Sequence, residues 1–271
     1  MAEFDSRRHK RGEREGYNLI AERYLDAAPS RKRLTEALLA AAQLASGQSL
    51  LDLASGPGIL AQAAAALVAP GRVVISDLAE RPLVLARAAA PELLGVAADA
   101  EAPPFADASF DRVLCGLGLM FFPDDHRALA EIRRVLRPQG RLAVSVWAQA
   151  GRVPVVECAL ACIGRLLPPP KVAHLSPLRL GCGLPALLAA CGFKNIEVSI
   201  CELDFAFANA ADYWHTFLAM AGGAASGLSR LPDAMQARFP SEVAVELEPY
   251  RQGDSFRLQS HVLVATATHN A

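Results

Sequence analysis

The sequence has 271 residues, of which 52% are hydrophobic and 20% charged, and its formal net charge is −1 at pH 7. This length and apolar content suffice for a large core without metals or disulfides. The small net charge argues against nucleic acid as the main partner, and no apolar run is long and uncharged enough to cross a membrane.

The six cysteines form neither a metal-site pattern nor a disulfide pattern. Cys158 and Cys162 would share a helix face, but no nearby histidine or second close pair completes a zinc site. The chain opens with a charged run, residues 7–15, instead of the apolar core of a secretory signal. We therefore expect reduced cysteines, no metal and a cytoplasmic location, and we interpret the charged run as a mobile, solvated terminus.

Two helices are predicted ahead of the first strand. Apolar residues recur at helical spacing over residues 17–26, and Pro29-Ser30 opens a second helix over residues 31–44. We expect residues 1–46 to form an N-terminal helical cover over the carboxyl edge of the sheet, where open α/β sheets bind ligands.

A strand, a glycine turn and a helix are predicted from residues 50–60, LLDLASGPGIL. Glycine in such a turn lets a cofactor lie directly on the backbone, where a Cβ would collide. Asp77 ends a second strand over residues 72–76 and can accept hydrogen bonds from both ribose hydroxyls of an adenosine cofactor. Residues 56–61 also satisfy the dinucleotide pattern G-x-G-x-x-G/A, which leaves a nicotinamide oxidoreductase open at this point.

Strands and helices then alternate along the chain. The second strand is followed by a helix over 80–90, strands over 94–97 and 110–115, a helix over 124–136 and a strand over 141–147. This alternation indicates a doubly wound, parallel α/β sheet. Between two of these elements, residues 116–122, GLGLMFF, form an almost wholly apolar loop, which suggests the lining of a pocket.

The second half of the chain departs from this rhythm. Helices are predicted over 153–167 and 184–190 and strands over 194–202 and 255–268, with an irregular segment, 204–250, between the two strands. We interpret residues 47–203 as the cofactor-binding core, residues 204–250 as an inserted substrate cover and residues 251–271 as the last strand of the core. The Gly/Ala/Ser stretch 222–227 is interpreted as a mobile lid.

Four segments together are similar to a known family. The runs DLASGPG, VVISD, GVAADAEAPPFADASFDRVLC and ALAEIRRVLRPQGRLAVSVW occur in this order. With them, residues 17–203 resemble the class I S-adenosylmethionine-dependent methyltransferases, most of all the group around the ubiquinone and menaquinone C-methyltransferases. One departure is Gln139, where that group usually has a second glycine. The resemblance implies a seven-stranded, mostly parallel Rossmann-like sheet with an antiparallel last strand, and places the strand over 194–202 beside the fifth strand.

The resemblance also implies which residues hold the methionine part of S-adenosylmethionine. This part would lie against the backbone of three residues, Ala54, Gly56 and Gly58. Asp52 would order the ammonium group through hydrogen bonds, and the backbone carbonyls of Cys115 and Gly116 would face the same group.

At the other end of the cofactor, the resemblance assigns the adenosine contacts. Asp77 would bind the ribose hydroxyls and Leu78 would pack beside the adenine. Asp99 would accept a hydrogen bond from the adenine amino group, while the backbone N–H of Ala100 would meet the ring.

The cofactor's own chemistry agrees with this assignment. S-adenosylmethionine carries a sulfonium and an ammonium cation, which suit acidic groups and carbonyls. A nicotinamide oxidoreductase would leave Asp99 unexplained and would need a hydride-handling group such as Tyr-x-x-x-Lys, which does not occur. We therefore predict an S-adenosylmethionine-dependent methyltransferase. An NAD(P)-dependent oxidoreductase and a non-catalytic cofactor-binding module are the alternatives.

The acceptor is predicted to be a small, largely apolar or aromatic molecule of specialised metabolism, methylated on oxygen or nitrogen. A C-methyltransferase of quinone biosynthesis is the alternative. The inserted cover argues for an enclosed pocket, with six candidate lining residues: Tyr17, Tyr24, Leu117, Met120, Phe121 and Trp214. Methyl transfer is an in-line displacement, and a hydroxyl acceptor needs a general base, for which the candidates are His126, His174 and His215. A homodimer is left open.

Overall fold

A computed structural model describes residues 4–168 and 174–270 of the chain. Residues 1–3 and 271, at the ends of two predicted domains, lie outside the described residues. The strands are β1 Ser49–Leu53, β2 Arg72–Asp77, β3 Leu94–Ala97, β4 Phe110–Gly116, β5 Leu136–Trp147, β6 Lys194–Phe207, β7 Arg251–Gln252 and β8 Ser255–Thr268. They form one sheet in the order β3-β2-β1-β4-β5-β8-β6, and the two-residue β7 pairs with β8.

The sheet confirms the predicted α/β, Rossmann-like class. Strands β1 to β5 are parallel to one another, and β8 is antiparallel to both β5 and β6. The central strand β1 carries Leu50, Leu51 and Leu53, each at most 1% exposed. A strand covered by helices on both faces needs apolar residues at successive positions, which explains the continuous apolar run in the sequence.

One predicted adjacency is wrong: β8, not β6, lies beside β5. The reason is visible in the two sequences. The half of β8 that pairs with β5 buries Val262, Val264 and Ala265, so it suits a position inside the sheet. The first half of β6 exposes most of its residues, including Val198 and Ile200, and it forms the edge.

The helices surround this sheet. They are α1 Ser6–Asp26, α2 Lys32–Ala42, α3 Ile59–Val68, α4 Glu80–Ala89, α5 Asp125–Val135, α6 Pro154–Leu166, α7 Leu184–Ala190, α8 Ala210–Met220, α9 Gly222–Leu228, α10 Asp233–Gln236, α11 Phe239–Glu242 and α12 Ala244–Leu247. Short 3-10 turns add Ala28–Arg31, Leu119–Phe121 and Glu248–Tyr250. Within the described ranges, no helix is both long and apolar enough to span a membrane.

The charged run near the N-terminus is helical, which corrects its interpretation as a mobile terminus. Helix α1 begins at Ser6 because the Asp5 side chain caps it, accepting a hydrogen bond from the backbone N–H of Arg8 at 2.9 Å. Two cations of the run form ion pairs with the body of the protein: Lys10 with Asp99 and Glu101, and Arg14 with Glu80.

The segment between β6 and β8, interpreted from the sequence as an inserted cover from residue 204, begins after Phe207. Residues 204–207 continue β6 and pair with β8, from Asp204 opposite Gln259 to Phe207 opposite Phe256. The stretch 222–227 is also not a lid loop, because it forms most of helix α9. Helix α9 packs closely on α1, and this close packing explains why the stretch consists of small residues.

Two glycines set the distance between α1 and α9. Gly16 and Gly222 are both buried, and a Cβ at Gly16 would collide with the backbone carbonyl of Gly222. Helices α1 and α9 therefore touch through backbone atoms, and α1 lines the cleft at the carboxyl edge of the sheet.

We expect Gly16→Ala to lower the free energy of unfolding by about 1–3 kcal/mol, the usual cost of overpacking. Gly12→Ala on the same helix is the matched control, since a Cβ there meets nothing within 4 Å. This control is expected to stabilise the protein by up to about 1 kcal/mol through helix propensity. Denaturant unfolding of the two variants tests the packing, and equal effects of the two substitutions would contradict it.

Candidate functional site

A cleft opens at the carboxyl ends of β1, β2 and β4, beneath α1. The space between its walls, including the part open to solvent, is about 870 Å³. The glycine turn after β1 forms one wall. Helix α1 forms the opposite wall through Lys10, Glu13, Tyr17 and Tyr24, whose spacing places them on one helix face.

The glycine turn adopts left-handed backbone conformations. Ala54, Gly56 and Gly58 have φ of 55°, 53° and 71°, a region that glycine enters at little cost. Ala54 and Gly56 line the cleft. Gly58 instead forms the N-cap of α3, where a Cβ would lie 2.9 Å from the Cβ of Ala86. Gly58 is therefore needed for the packing of the turn against α4.

Asp77 joins the end of β2 to this turn. Its Oδ2 accepts a hydrogen bond from the Gly56 N–H at 2.8 Å, and its Oδ1 accepts one from the Ala79 N–H at 2.8 Å. Burial raises the pKa of Asp77, while these hydrogen bonds act in the opposite direction. Each carboxylate oxygen can accept more than one bond, so Asp77 can hold the turn and also accept from a ribose hydroxyl. Leu78 lines the cleft beside it.

The end of the cleft expected for adenine contains Asp99 and Ala100. The Asp99 Oδ1 accepts a hydrogen bond from the Glu101 N–H at 2.9 Å, and its Oδ2 accepts one from the Lys10 Nζ at 2.7 Å. Lys10 also donates to the Glu101 Oε2 at 2.5 Å. Lys10 thereby fastens α1 to this end of the cleft.

A second recess opens from the cleft between α2 and the glycine turn. Asp52 lies in it and is 1% exposed; its Oδ2 accepts a hydrogen bond from the Ala61 N–H at 3.1 Å. Burial raises the pKa of Asp52 to about 8. Arg31 lies in the same recess and is also buried. The recess therefore contains an acidic and a basic side chain, as a zwitterionic amino-acid group requires.

The basic side chain in this recess has unused hydrogen-bonding capacity. The Arg31 Nη2 donates to the Tyr24 carbonyl at 3.2 Å, and the guanidinium lies 4.3 Å from the Tyr24 ring centroid. The Nη1 atom is buried and has no hydrogen-bond partner within residues 4–168 and 174–270. A buried guanidinium group with an unpaired N–H attracts an anion.

The apolar loop after β4 contributes only part of its length to the cleft. Gly116, Leu117 and Phe121 line it. Met120 is fully buried in the core, which corrects its assignment to the substrate pocket, because a 3-10 turn directs it inward. The Cys115 side chain is also fully buried, and burial raises the pKa of its thiol to about 12.

Trp214 is likewise absent from the cleft lining and packs inside the inserted cover. Its ring stacks on Phe239, with centroids 4.9 Å apart and an interplanar angle of 3°, and its centroid is 5.6 Å from that of Phe217. Helix α8 turns its aromatic side inward and so uses Trp214 to hold the cover together.

The three histidines predicted as candidate bases are exposed, and the structure does not bring them to the cleft. His126 lies on the outer side of α5, where its Nδ1 is 3.4 Å from the Cys191 Sγ. His215 is on the outer side of α8, opposite the buried aromatic residues. His174 lies in an irregular segment before α7.

Three residues that the prediction did not include are Lys10, Glu13 and Arg31, which line the cleft or its recess. A usable signal for the first two was their spacing from Tyr17, because Lys10, Glu13 and Tyr17 recur at helical period. Nothing in the sequence marks Arg31 in a comparable way, because it cannot be told apart there from the many arginines that are exposed.

Comparison with known proteins agrees with this geometry. Residues 51–144 match a family model described as a methyltransferase domain. The ubiquinone/menaquinone biosynthesis C-methyltransferase UbiE of Hahella chejuensis is 43% identical over 108 residues, covering 36% of this chain and 42% of that protein. An uncharacterized protein of Mycobacterium bovis is 37% identical over 139 residues, covering 50% of this chain and 48% of that protein. The chain thus spans less than half the length of these curated relatives.

Solved structures share the fold. A Bacillus halodurans protein provisionally described as a methyltransferase has a TM-score of 0.63 at 20% identity, covering 88% of this chain and 99% of that one. Phosphoethanolamine N-methyltransferase 2 of Haemonchus contortus, in complex with S-adenosylhomocysteine, has a TM-score of 0.56 at 17% identity, covering 89% and 53%. The [4+2]-cyclase SpnF has a TM-score of 0.55 at 21% identity, covering 88% and 80%.

These findings confirm the predicted resemblance. Residues 51–144 match the model of a methyltransferase domain, and the chain is similar to the class I S-adenosylmethionine-dependent methyltransferases, including the UbiE group. S-adenosylmethionine is the cofactor of this class, and the residues present fit it: the carboxylates of Asp52 and Asp77 suit its ammonium and ribose groups, and the unpartnered Nη1 of Arg31 suits its carboxylate.

We expect Asp77→Asn to weaken S-adenosylmethionine binding by about 1.5–3 kcal/mol, because an amide is a poorer acceptor and presents an N–H toward the glycine turn. Asp107→Asn is the matched control, since Asp107 is exposed and pairs with Arg134. Calorimetric titration of the two variants provides the measurement. An unchanged affinity in Asp77→Asn would show that the ribose is held elsewhere.

Proposed function

We propose that this protein is an S-adenosylmethionine-dependent methyltransferase acting on oxygen or nitrogen of a small, largely apolar or aromatic metabolite. The observation that carries the proposal is the form of the cleft. The glycine-turn wall fits the cofactor, and Tyr17, Leu117 and Phe121 form an aromatic and apolar surface beneath α1. We also propose a cytoplasmic location and a role in specialised metabolism.

The cofactor would lie along the carboxyl edge of the sheet. Asp77 would accept from the ribose hydroxyls, with Leu78 beside the adenine and Asp99 accepting from its amino group. The Lys10 ion pair would hold α1 over this end. The homologous N-methyltransferase structure with S-adenosylhomocysteine supports a ligand of this kind in this fold.

The methionine part would occupy the inner recess. Asp52 would face its ammonium group, and Arg31 would face its carboxylate through the Nη1 atom that the protein leaves unpartnered. The Asp52 carboxyl group and the Arg31 guanidinium lie in one buried recess, where a polar group without a partner is costly. The methionine part would therefore stabilise both.

When bound, S-adenosylmethionine supplies an activated methyl group. The chain's contribution is to orient the acceptor in line with that group and to exclude water. Tyr17, Leu117 and Phe121 are placed for both tasks, since they line the cleft and the rings of Tyr17 and Phe121 lie 6.1 Å apart in an edge-to-face arrangement. This surface favours an apolar or aromatic acceptor.

A C-methyltransferase of quinone biosynthesis is the second candidate. The UbiE match supports it, because 43% identity over 108 residues is substantial. That match covers 36% of this chain, however. Helix α1, which would contact the acceptor, also lies outside residues 51–144, the part that matches the methyltransferase family model. The fold alone does not choose between reactions, as the cyclase with the same fold illustrates.

We expect Arg31→Met to weaken binding of S-adenosylhomocysteine at least tenfold, because it removes a charge-assisted hydrogen bond worth about 1.5–3 kcal/mol. Binding of 5′-methylthioadenosine, which lacks the amino-acid part, should change less than twofold. Arg33→Met is the matched control, since Arg33 is exposed on the next turn. Equal losses of affinity for both ligands in Arg31→Met would show that Arg31 does not contact the amino-acid part of the cofactor.

Turnover tests the reaction itself. The protein and S-adenosylmethionine labelled in the methyl group are incubated with a small-molecule extract, and we expect label to appear in an organic-soluble product. NMR of the product shows whether the methyl is on oxygen, nitrogen or carbon, and carbon would favour the quinone-type candidate. Saturable micromolar binding of NADH, without transfer of label, would revive the oxidoreductase.

A further inference from the structure

A carboxylate on the cleft-facing side of α1 has no part in the roles proposed so far. Glu13 lines the cleft, and its Oε2 is buried without a hydrogen-bond partner in the part of the chain that the structure describes. The other oxygen, Oε1, lies against Gly223 at the start of α9, where an added Cβ would collide with it. This contact places the carboxylate between α1 and α9.

The cations nearest in sequence do not neutralise this carboxylate. Lys10, one turn before it, is paired with Asp99 and Glu101 at 2.7 and 2.5 Å. Arg14, next to it, is paired with Glu80. Within residues 4–168 and 174–270, Glu13 forms no ion pair. Burial therefore raises the pKa of Glu13 to about 7, against the smaller, opposite effect of the nearby Gly223 backbone.

The surroundings of Glu13 are those of an acceptor site. Tyr17 follows it by one turn and lies edge-to-face with Phe121, and all three residues line the cleft. Farther across the cleft, Asp77 is committed to the backbone of Gly56 and Ala79. A buried carboxylate oxygen with no partner is costly, and that cost disappears when a ligand presents a hydrogen-bond donor.

We propose that Glu13 is a catalytic residue that contacts the methyl acceptor through Oε2, and that the acceptor carries an O–H or N–H group at this point. The inference rests on the proposed function and narrows its substrate class. The acceptor atom forms a bond to the methyl carbon while the methyl–sulfur bond breaks. The electron pair of the broken methyl–sulfur bond stays on sulfur. The proton of the acceptor passes to Oε2 of Glu13, which later releases it to solvent.

A purely structural role for Glu13, as a link between α1 and α9, would give a different result. Such a role affects all ligands of the cleft alike, because it changes only the position of the cover. Contact with the acceptor side makes the loss selective for ligands that place charge where the methyl group is transferred. Selectivity between two cofactor analogues is therefore the informative readout.

The probes are S-adenosylhomocysteine and sinefungin, which carries an ammonium group in place of the methylated sulfonium. We expect Glu13→Gln to weaken sinefungin binding about tenfold and S-adenosylhomocysteine binding less than twofold, measured by calorimetric titration. Glu15→Gln is the matched control, since Glu15 is exposed and pairs with Arg230. It should change neither affinity. Equal changes for both ligands in Glu13→Gln, or no change for either, would overturn the proposal.

The wild-type protein offers a test that does not depend on the stability of a variant. A group with a pKa of about 7 is neutral at pH 6 and charged at pH 8. The preference of the wild-type protein for sinefungin should therefore increase between these pH values, and Glu13→Gln should abolish the increase. A preference independent of pH in the wild-type protein would overturn the proposal.

These results also separate the inference from the proposed function. If S-adenosylhomocysteine does not bind the wild-type protein, the proposed function fails. If it binds without the selective effect of Glu13→Gln, only the inference fails. In the labelled-extract assay, product NMR then distinguishes the two donor classes, because a methyl on nitrogen identifies an amine and a methyl on oxygen a hydroxyl.

Discussion

The hydrogen bond from the Gly56 N–H to the Asp77 carboxylate is the contact on which the site depends. It joins the turn after β1 to the end of β2, two elements adjacent in the sheet, and so fixes one wall of the cleft. Gly58 adds a steric constraint, because only glycine fits against Ala86 at that distance. Together these contacts fix the turn against β2 and α4, with Ala54 and Gly56 lining the cleft.

The opposite wall is held by a different kind of interaction. Helix α1 forms ion pairs with the body of the protein through Lys10 and Arg14. It packs on helix α9 through Gly16 and Gly222. Ion pairs that are partly exposed contribute little each, whereas close backbone packing tolerates no added atom. The position of α1 over the cleft therefore depends mainly on the two glycines, while the ion pairs select its orientation.

Most of the parallel core could be predicted because its signals are local. Each signal can be recognised within a few residues of the chain. These signals are the apolar run of β1, the glycine turn and the acidic residue at the end of β2. The second half was harder, since edge and interior strands differ only in exposure. β6 and β8 both alternate, and their order in the sheet follows from how much apolar surface each one buries against its neighbours.

The sequence by itself determined the class of fold, the residues of the glycine turn and the kind of cofactor, because these follow from short-range pattern and residue chemistry. Only the tertiary structure decided which side chains reach the cleft. It placed Glu13 and Arg31 there, directed Met120 and Trp214 into cores, and left His126 exposed. The physical reason is that the rotation of a helix about its axis is set by packing against elements distant in the chain. A rotation by one residue position moves a side chain from the ligand-facing side of the helix to the solvent-facing side.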